Sequence, residues 1–193
     1  MMDKRTRRRE CLARLESLGS TERELFSHSI GELIATSPEF ERAETILAYS
    51  ALPNEPDLHR LIGSHPDKQW AFPKIMGGER LSFYHAQSMT GMIPGQFGIQ
   101  EPDPALHRTV NYADVDLILV PGLGFDPGTG ARLGRGKGYY DKFLASHCLP
   151  LPGVPGPIVV GVCFSIQFSA LETEPHDFPM HRVVSESGWH TTS

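Results

Sequence analysis

Residues Leu117-Ile118-Leu119-Val120 are apolar without interruption and run straight into Pro121-Gly122-Leu123-Gly124-Phe125-Asp126. A strand with one wet face alternates apolar and polar residues, whereas a continuous apolar run marks a strand covered on both faces. Cover on both faces calls for helical layers, and the chain supplies them. Cys11, Leu12, Leu15 and Leu18 recur at helical spacing over residues 4–18, with Asp3 placed to cap the segment and Gly19 to close it. A second helix starts near Ser20 or Thr21, since Thr21 and Glu24 have capping-box spacing. It buries Leu25, Phe26, Ile30, Leu33 and Ile34, and Pro38 ends it. Residues 45–49, 70–73, 81–84, 115–120, 158–162 and 182–185 read as strands, with a short helix near 58–62 and a longer one over 138–146. The Gly- and Pro-rich segments 85–112, 121–137 and 149–157 read mostly as loop. The alternation predicts an α/β fold of three layers, a largely parallel sheet with helices on both faces, in a single domain over 1–193. Ligands of such sheets sit beyond the carboxyl ends of the strands, where the loop after Val120 lies.

Composition narrows the function classes. A chain of 193 residues that is 39% hydrophobic suits one compact domain. A net charge of -5 argues against a general nucleic-acid binder. Cys11, Cys148 and Cys163 form no CxxC pair, so neither a zinc site nor a disulfide framework is indicated, and reduced thiols in a cytosol are the simplest reading. The Arg-rich start lacks the apolar core of a secretory signal, and Asp3, Glu10 and Glu16 speak against a transit peptide. No apolar run approaches the ~20 residues of a membrane span. The expectation is a cytoplasmic, monomeric enzyme acting on small molecules, without nucleic-acid or membrane partners.

The chemistry concentrates in Arg132-Leu133-Gly134-Arg135-Gly136-Lys137-Gly138-Tyr139-Tyr140-Asp141. Alternating glycines let backbone amides approach an oxyanion closely, and successive amides form an anion nest. The helix that follows adds free N–H groups and the positive end of its dipole. Arg135 contributes a bidentate fork and Lys137 a point charge. Two common phosphate motifs nevertheless fail. A Walker A loop would need glycine where Ala131 stands and a hydroxyl where Gly138 stands. A dinucleotide fingerprint would need glycine at Tyr139.

The stretch from Leu117 to Leu144 resembles the 5-formyltetrahydrofolate cyclo-ligase family. It carries every fixed position of that family's signature, an apolar strand, Pro-Gly-Leu-Gly/Ala-Phe-Asp, then Gly-x-Arg-Leu-Gly-x-Gly-x-Gly-Tyr-Tyr-Asp. Thinner matches follow in family order: Lys4 and Arg8, Glu55, Phe72-Pro73-Lys74, Phe97 to Pro102, and Asp177. The resemblance implies a fold of the NagB/RpiA/CoA-transferase-like kind. It also implies magnesium-dependent use of ATP to convert 5-formyltetrahydrofolate into 5,10-methenyltetrahydrofolate. On that basis Arg135 and Lys137 steady the transferring phosphoryl group. ATP contacts fall on Lys4, Arg5, Thr6, Arg7 and Arg8 and on Leu133, Gly134, Arg135, Gly136, Lys137, Gly138, Tyr139, Tyr140 and Asp141. Magnesium ligands fall on Asp141 and Asp177, and folate contacts on Ser50, Glu55, Phe97 and Tyr139. Phe97 reads equally as a stacking platform or a core residue, and Tyr139 and Tyr140 as pocket lining or helix packing. Two alternatives stay open: a non-catalytic folate or nucleotide binder that keeps the phosphate loop, and a sugar-phosphate isomerase-like enzyme with Glu55 as its base.

Overall fold

The computed structural model describes residues 3–78, 80–88, 90–148, 156–172, 174 and 177–192. Its helices are α1 (Lys4–Ser17), α2 (Ser20–Ala35), α3 (Pro38–Arg42), α4 (His59–Ser64) and α5 (Tyr139–His147). Its strands are β1 (Thr45–Leu47), β2 (Gln69–Met76), β3 (Arg80–His85), β4 (Met92–Pro94), β5 (Gln100–Pro102), β6 (Leu117–Val120), β7 (Gly124–Phe125), β8 (Arg132–Leu133), β9 (Ile158–Val162), β10 (Arg182–Ser185) and β11 (Gly188–Thr191).

Seven strands form the main sheet in the order β11-β10-β9-β6-β1-β2-β3. The pairs β2–β1, β1–β6, β6–β9 and β9–β10 are parallel, and only the edge pairs β2–β3 and β10–β11 are antiparallel. Alternation along each strand sorts the core into two layers. Ile46, Leu117, Leu119, Val160 and Val162 face Leu15 of α1 and Ile30 and Ile34 of α2. Their neighbours Leu47, Ile118, Val120, Val159 and Val183 face Phe143 and Leu144 of α5. The expected three layers are therefore present, with α1 to α4 on one side and α5 on the other.

Several local expectations are corrected. Asp3 does cap α1, accepting from the amides of Arg5 and Thr6 at 2.7 and 2.9 Å. The cap of α2 lies two residues earlier than the Thr21–Glu24 spacing suggested: Gly19 is the N-cap, and Glu22 reaches back to its amide at 2.9 Å. Leu25 is 60% exposed rather than part of the buried stripe, because the stripe turns through Ile30 and Ile34. Pro38 does not merely end α2. It opens α3 at the position where proline's missing N–H costs nothing, under the Ser37 cap. The segments read as loop hold two small hairpins, β4–β5 within 85–112 and β7–β8 within 121–137. The first strand ends at Leu47 rather than at 49, and β11 follows β10. Of the connector 149–157, only 156 and 157 lie among the described residues.

The strand order places the site. From β1 the chain moves outward to β2, then returns to the other side of β1 with β6. The carboxyl ends of β1 and β6 therefore flank the topological switch point, where the connections diverge and leave a crevice. Pro73 fits this edge of the sheet as well. The pairing of β2 with β1 stops at Ala71, so the missing N–H of Pro73 removes no bond on that side.

Candidate active site

A cavity of about 440 Å3 opens at the switch point. Tyr49, Ser50, Leu52 and Glu55 from the loop after β1 form one wall, and Pro121 and Gly122 after β6 the floor. Gly134, Arg135, Lys137, Gly138, Tyr139, Tyr140 and Asp141 form a second wall. Pro73, Ile75, Leu81, Phe97, Ile99 and Glu101 close the far side.

The glycine loop is built as an anion cradle. Gly136 and Gly138 have φ of 100° and 66°, which side-chain-bearing residues rarely adopt, and this turns the backbone amides outward. Gly138 is the N-cap of α5 and supplies no side-chain acceptor to the first turn. Among the described residues, no amide from Gly134 to Asp141 donates a hydrogen bond within the protein. Lys137 is exposed beside these amides and makes no hydrogen bond or ion pair among the described residues. Unmet donors, the helix dipole and a lysine together favour a polyanion.

Arg135 points elsewhere. Its Nε lies 3.0 Å from Glu55 Oε1, its Nη2 2.7 Å from Asn54 Oδ1, and Glu55 is only 7% exposed. Glu55 also accepts from the Leu52 amide at 3.0 Å. The residue expected at phosphate is thus joined to the residue expected at folate, across the cavity. Arg132, which the sequence reading left without a role, sits beneath the loop. Its Nη2 lies 2.5 Å from Asp141 Oδ1, its Nη1 3.2 Å from the Pro121 carbonyl, and its guanidinium 5.6 Å from the Tyr140 ring. Burial, reinforced by the charge of Glu55, raises the phenol pKa of both Tyr49 and Tyr140. Both are neutral at physiological pH, and Tyr49 donates to the Pro56 carbonyl at 2.6 Å.

The other expected residues divide into three groups. Ser50 lines the cavity, but its hydroxyl donates to the Gln100 carbonyl at 2.8 Å. Phe97 is no core residue: it is 60% exposed at the cavity wall, in a turn where its φ is 60°. Tyr139 lines the cavity, whereas Leu133 is buried in β8 and belongs to the core. On α1, Arg8 reaches the back of the loop, its Nε donating to the Gly134 carbonyl at 3.0 Å. Lys4 instead pairs with Glu174 at 3.0 Å and Asp177 at 3.4 Å, and Arg7 donates to the Ala170 carbonyl at 2.8 Å. Arg5 and Thr6 sit at the capped start of α1, and none of residues 4–7 lines the cavity. Asp141 and Asp177 stand in different clusters, one paired with Arg132 in the cavity wall and the other with Lys4 outside it. Among the described residues, no group of three or more His, Cys, Asp or Glu is placed to hold a metal. His176 lies outside the described residues, and His181 accepts from the Val159 amide at 3.0 Å rather than serving a site.

Sequence reasoning also passed over Lys74 and Glu101, an ion pair of 3.3 Å at the cavity's far side. The signals were present, Arg132 inside the signature and Lys74 and Glu101 inside the thinner matches. Only tertiary contact gives them partners.

A mostly parallel α/β sheet with a cleft at its switch point, walled by a glycine loop with unmet donors, places the chain among α/β proteins with a candidate anion subsite. The model of the 5-formyltetrahydrofolate cyclo-ligase family matches residues 1–186, and the chain belongs to that family. The 5-formyltetrahydrofolate cyclo-ligase of Saccharomyces cerevisiae is 35% identical over 112 residues, 54% of this chain and about half (51%) of that relative's length. A probable 5-formyltetrahydrofolate cyclo-ligase of Schizosaccharomyces pombe is 27% identical over 78% of each chain. The NMR structure of Aquifex aeolicus 5,10-methenyltetrahydrofolate synthetase superposes with a TM-score of 0.83 at 32% identity, covering 98% of this chain and 93% of that one. A Mycoplasma pneumoniae 5,10-methenyltetrahydrofolate synthetase shares the fold, with a TM-score of 0.72 at 22% identity.

Proposed function

We propose that this chain converts 5-formyltetrahydrofolate into 5,10-methenyltetrahydrofolate with ATP. The observation that carries the reading is the run of unmet amides from Gly134 to Asp141, with Lys137, in the same cavity as Glu55 and Phe97. The formyl oxygen attacks the γ-phosphorus and ADP leaves. The folate N10 then attacks the activated formyl carbon and loses its proton, and inorganic phosphate departs with the former formyl oxygen. The second step is intramolecular, so holding the two nitrogens in register supplies most of its acceleration. The first depends on positioning and charge stabilisation, the work of the amides and Lys137. Glu55 offers a carboxylate to the donor edge of the pterin, and Phe97 a flat face. When folate takes Glu55, Arg135 is released toward the phosphates.

Magnesium enters with the nucleotide in this reading. Magnesium is commonly held by one or two carboxylates, phosphate oxygens and water, and Asp141 in the loop wall could offer it Oδ2, since Oδ1 is held by Arg132 at 2.5 Å. Bound there, the ion would offset phosphate charge. Asp177 would join only through a rearrangement of its pairing with Lys4. The reading extends to a single-domain cytoplasmic monomer of the NagB/RpiA/CoA-transferase-like group. The continuous sheet supports the single domain, and among the described residues no helix is long and apolar enough to cross a membrane.

The test is the appearance of the methenyl chromophore on adding ATP, magnesium and 5-formyltetrahydrofolate, followed in the parent and in Lys137→Ala. Turnover in the parent and its loss in a folded Lys137→Ala variant are expected. A folded parent that binds folate without turnover would make the chain a non-catalytic relative. Turnover without ATP would overturn the phosphoryl-transfer scheme.

A further inference from the structure

The β4–β5 hairpin stands outside the main sheet: Met92↔Pro102, Ile93↔Glu101 and Pro94↔Gln100 pair, and backbone bonds from the Gly95 amide to the Ile99 carbonyl and from the Asp103 amide to the Gly91 carbonyl extend the ribbon by one step at each end. A ribbon this short is not stable alone, so its position depends on what fastens it to the sheet. Its tip carries Phe97, exposed and in left-handed backbone, a conformation that surrounding structure must impose on a bulky residue.

One side-chain tie is the Ser50 hydroxyl on the Gln100 carbonyl. The deeper one is Glu101, 3% exposed, which accepts from Lys74 Nζ at 3.3 Å and lies 3.4 Å from the Ile75 amide. Lys74 is itself mostly buried on β2. The carboxylate is also clamped from the hairpin side, because a β-carbon on Gly95 would fall 2.3 Å from its Cγ and Cδ. Gly95 immediately precedes the turn that holds Phe97. A buried ion pair is a weak source of net stability, and its best-attested use is to fix one arrangement among several. Here the arrangement fixed is the seat of Phe97.

We propose that Lys74 and Glu101 are positioning residues that lock the β4–β5 hairpin to β2 and so set Phe97 against the flat heterocycle of the substrate. The proposal rests on the folate reading above. The pair governs affinity for the heterocyclic substrate and leaves phosphoryl transfer untouched.

Hydrogen exchange reads the lock without any substrate. Glu101→Gln keeps the shape that Gly95 accommodates but weakens the charge pairing. It should raise exchange over residues 92–102 and leave residues 134–141 as in the parent. Equal exchange in parent and variant over 92–102 overturns the lock, whatever the substrate proves to be.

Kinetics then read its purpose. Stacking on one aromatic side chain is worth roughly tenfold in affinity. Phe97→Ala, Glu101→Gln and Lys74→Met should each raise the KM for 5-formyltetrahydrofolate by up to that factor, with kcat and the KM for ATP unchanged. Lys74→Arg, which keeps the charge, should recover most of the loss. The double variant Glu101→Gln/Phe97→Ala should be no worse than Phe97→Ala alone. Full additivity would mean that Glu101 acts on substrate independently of Phe97, and a fall in kcat at constant KM would place it in the chemistry; either overturns the proposal. An opened hairpin in the variant, with no turnover of 5-formyltetrahydrofolate even by the parent, would refute the substrate assignment and with it the proposed purpose, while the lock would stand.

Discussion

Replacing Asp141 by alanine should cost more stability than replacing Arg132 by methionine, although both changes delete the same ion pair. The asymmetry follows from burial. The Arg132 side chain is 4% exposed and that of Asp141 is 22% exposed. Without Asp141, the guanidinium keeps, among the described residues, one hydrogen-bond acceptor, the Pro121 carbonyl, and the face of the Tyr140 ring, and its Nε already lacks a partner there. Stranding a buried charge in this way costs about 3–5 kcal/mol, and water entering from the cavity favours the lower end. In a chain of 193 residues each kcal/mol moves Tm by about 2–4 °C, so Asp141→Ala should melt roughly 6–12 °C below the parent. Arg132→Met keeps the packed stem and leaves a carboxylate that can turn to cavity water, at a cost of about 1–2 kcal/mol. Thermal melts by circular dichroism at neutral pH, without ligands, provide the comparison. An Asp141→Ala melt within about 2 °C of the parent, or an Arg132→Met variant that melts lower than Asp141→Ala, would show that Arg132 does not depend on Asp141 in this way.

Two further outcomes concern titration. Cys11, Cys148 and Cys163 are free and buried, and burial pushes all three thiols up, Cys148 to about 12. The native chain should resist iodoacetamide at about pH 8 and react at all three positions once unfolded, because the thiolate is the reactive form; rapid modification of native protein would contradict this. Burial lowers the pKa of His181 and, together with Arg108, that of His85. The unfolded chain therefore takes up protons first, so stability is fullest above about 6.5 and declines as pH falls below it. Urea midpoints should drop between about pH 7.5 and 5, and less steeply in His181→Gln; a flat or rising midpoint in the parent would contradict the sign.

Much of this was legible in the sequence because it is local. The apolar run at Leu117–Val120 announces a two-sided strand, Asp3 announces the start of α1, and Gly134, Gly136 and Gly138 announce a backbone that presents amides. What stayed hidden depends on contact across the chain. Pro38 reads as a terminator, yet the same fixed φ that stops one helix opens the next under Ser37. The two-residue strands β7 and β8 are too short for any period to show. Arg135 carries the same charge whether it faces phosphate or Glu55, and only the fold brings residues 55 and 135 together. The Lys74–Glu101 and Arg132–Asp141 pairs are likewise joined by sheet and loop geometry rather than by any local pattern.

Under the proposed function, the glycine loop and the folate wall of one cavity bring the γ-phosphoryl group onto the formyl oxygen. Mass analysis of the phosphate released from 5-formyltetrahydrofolate labelled with oxygen-18 in the formyl group tests it directly. Each inorganic phosphate should carry one labelled oxygen, delivered by the substrate. Unlabelled phosphate alongside methenyltetrahydrofolate would mean that the formyl oxygen was never phosphorylated, and would contradict it.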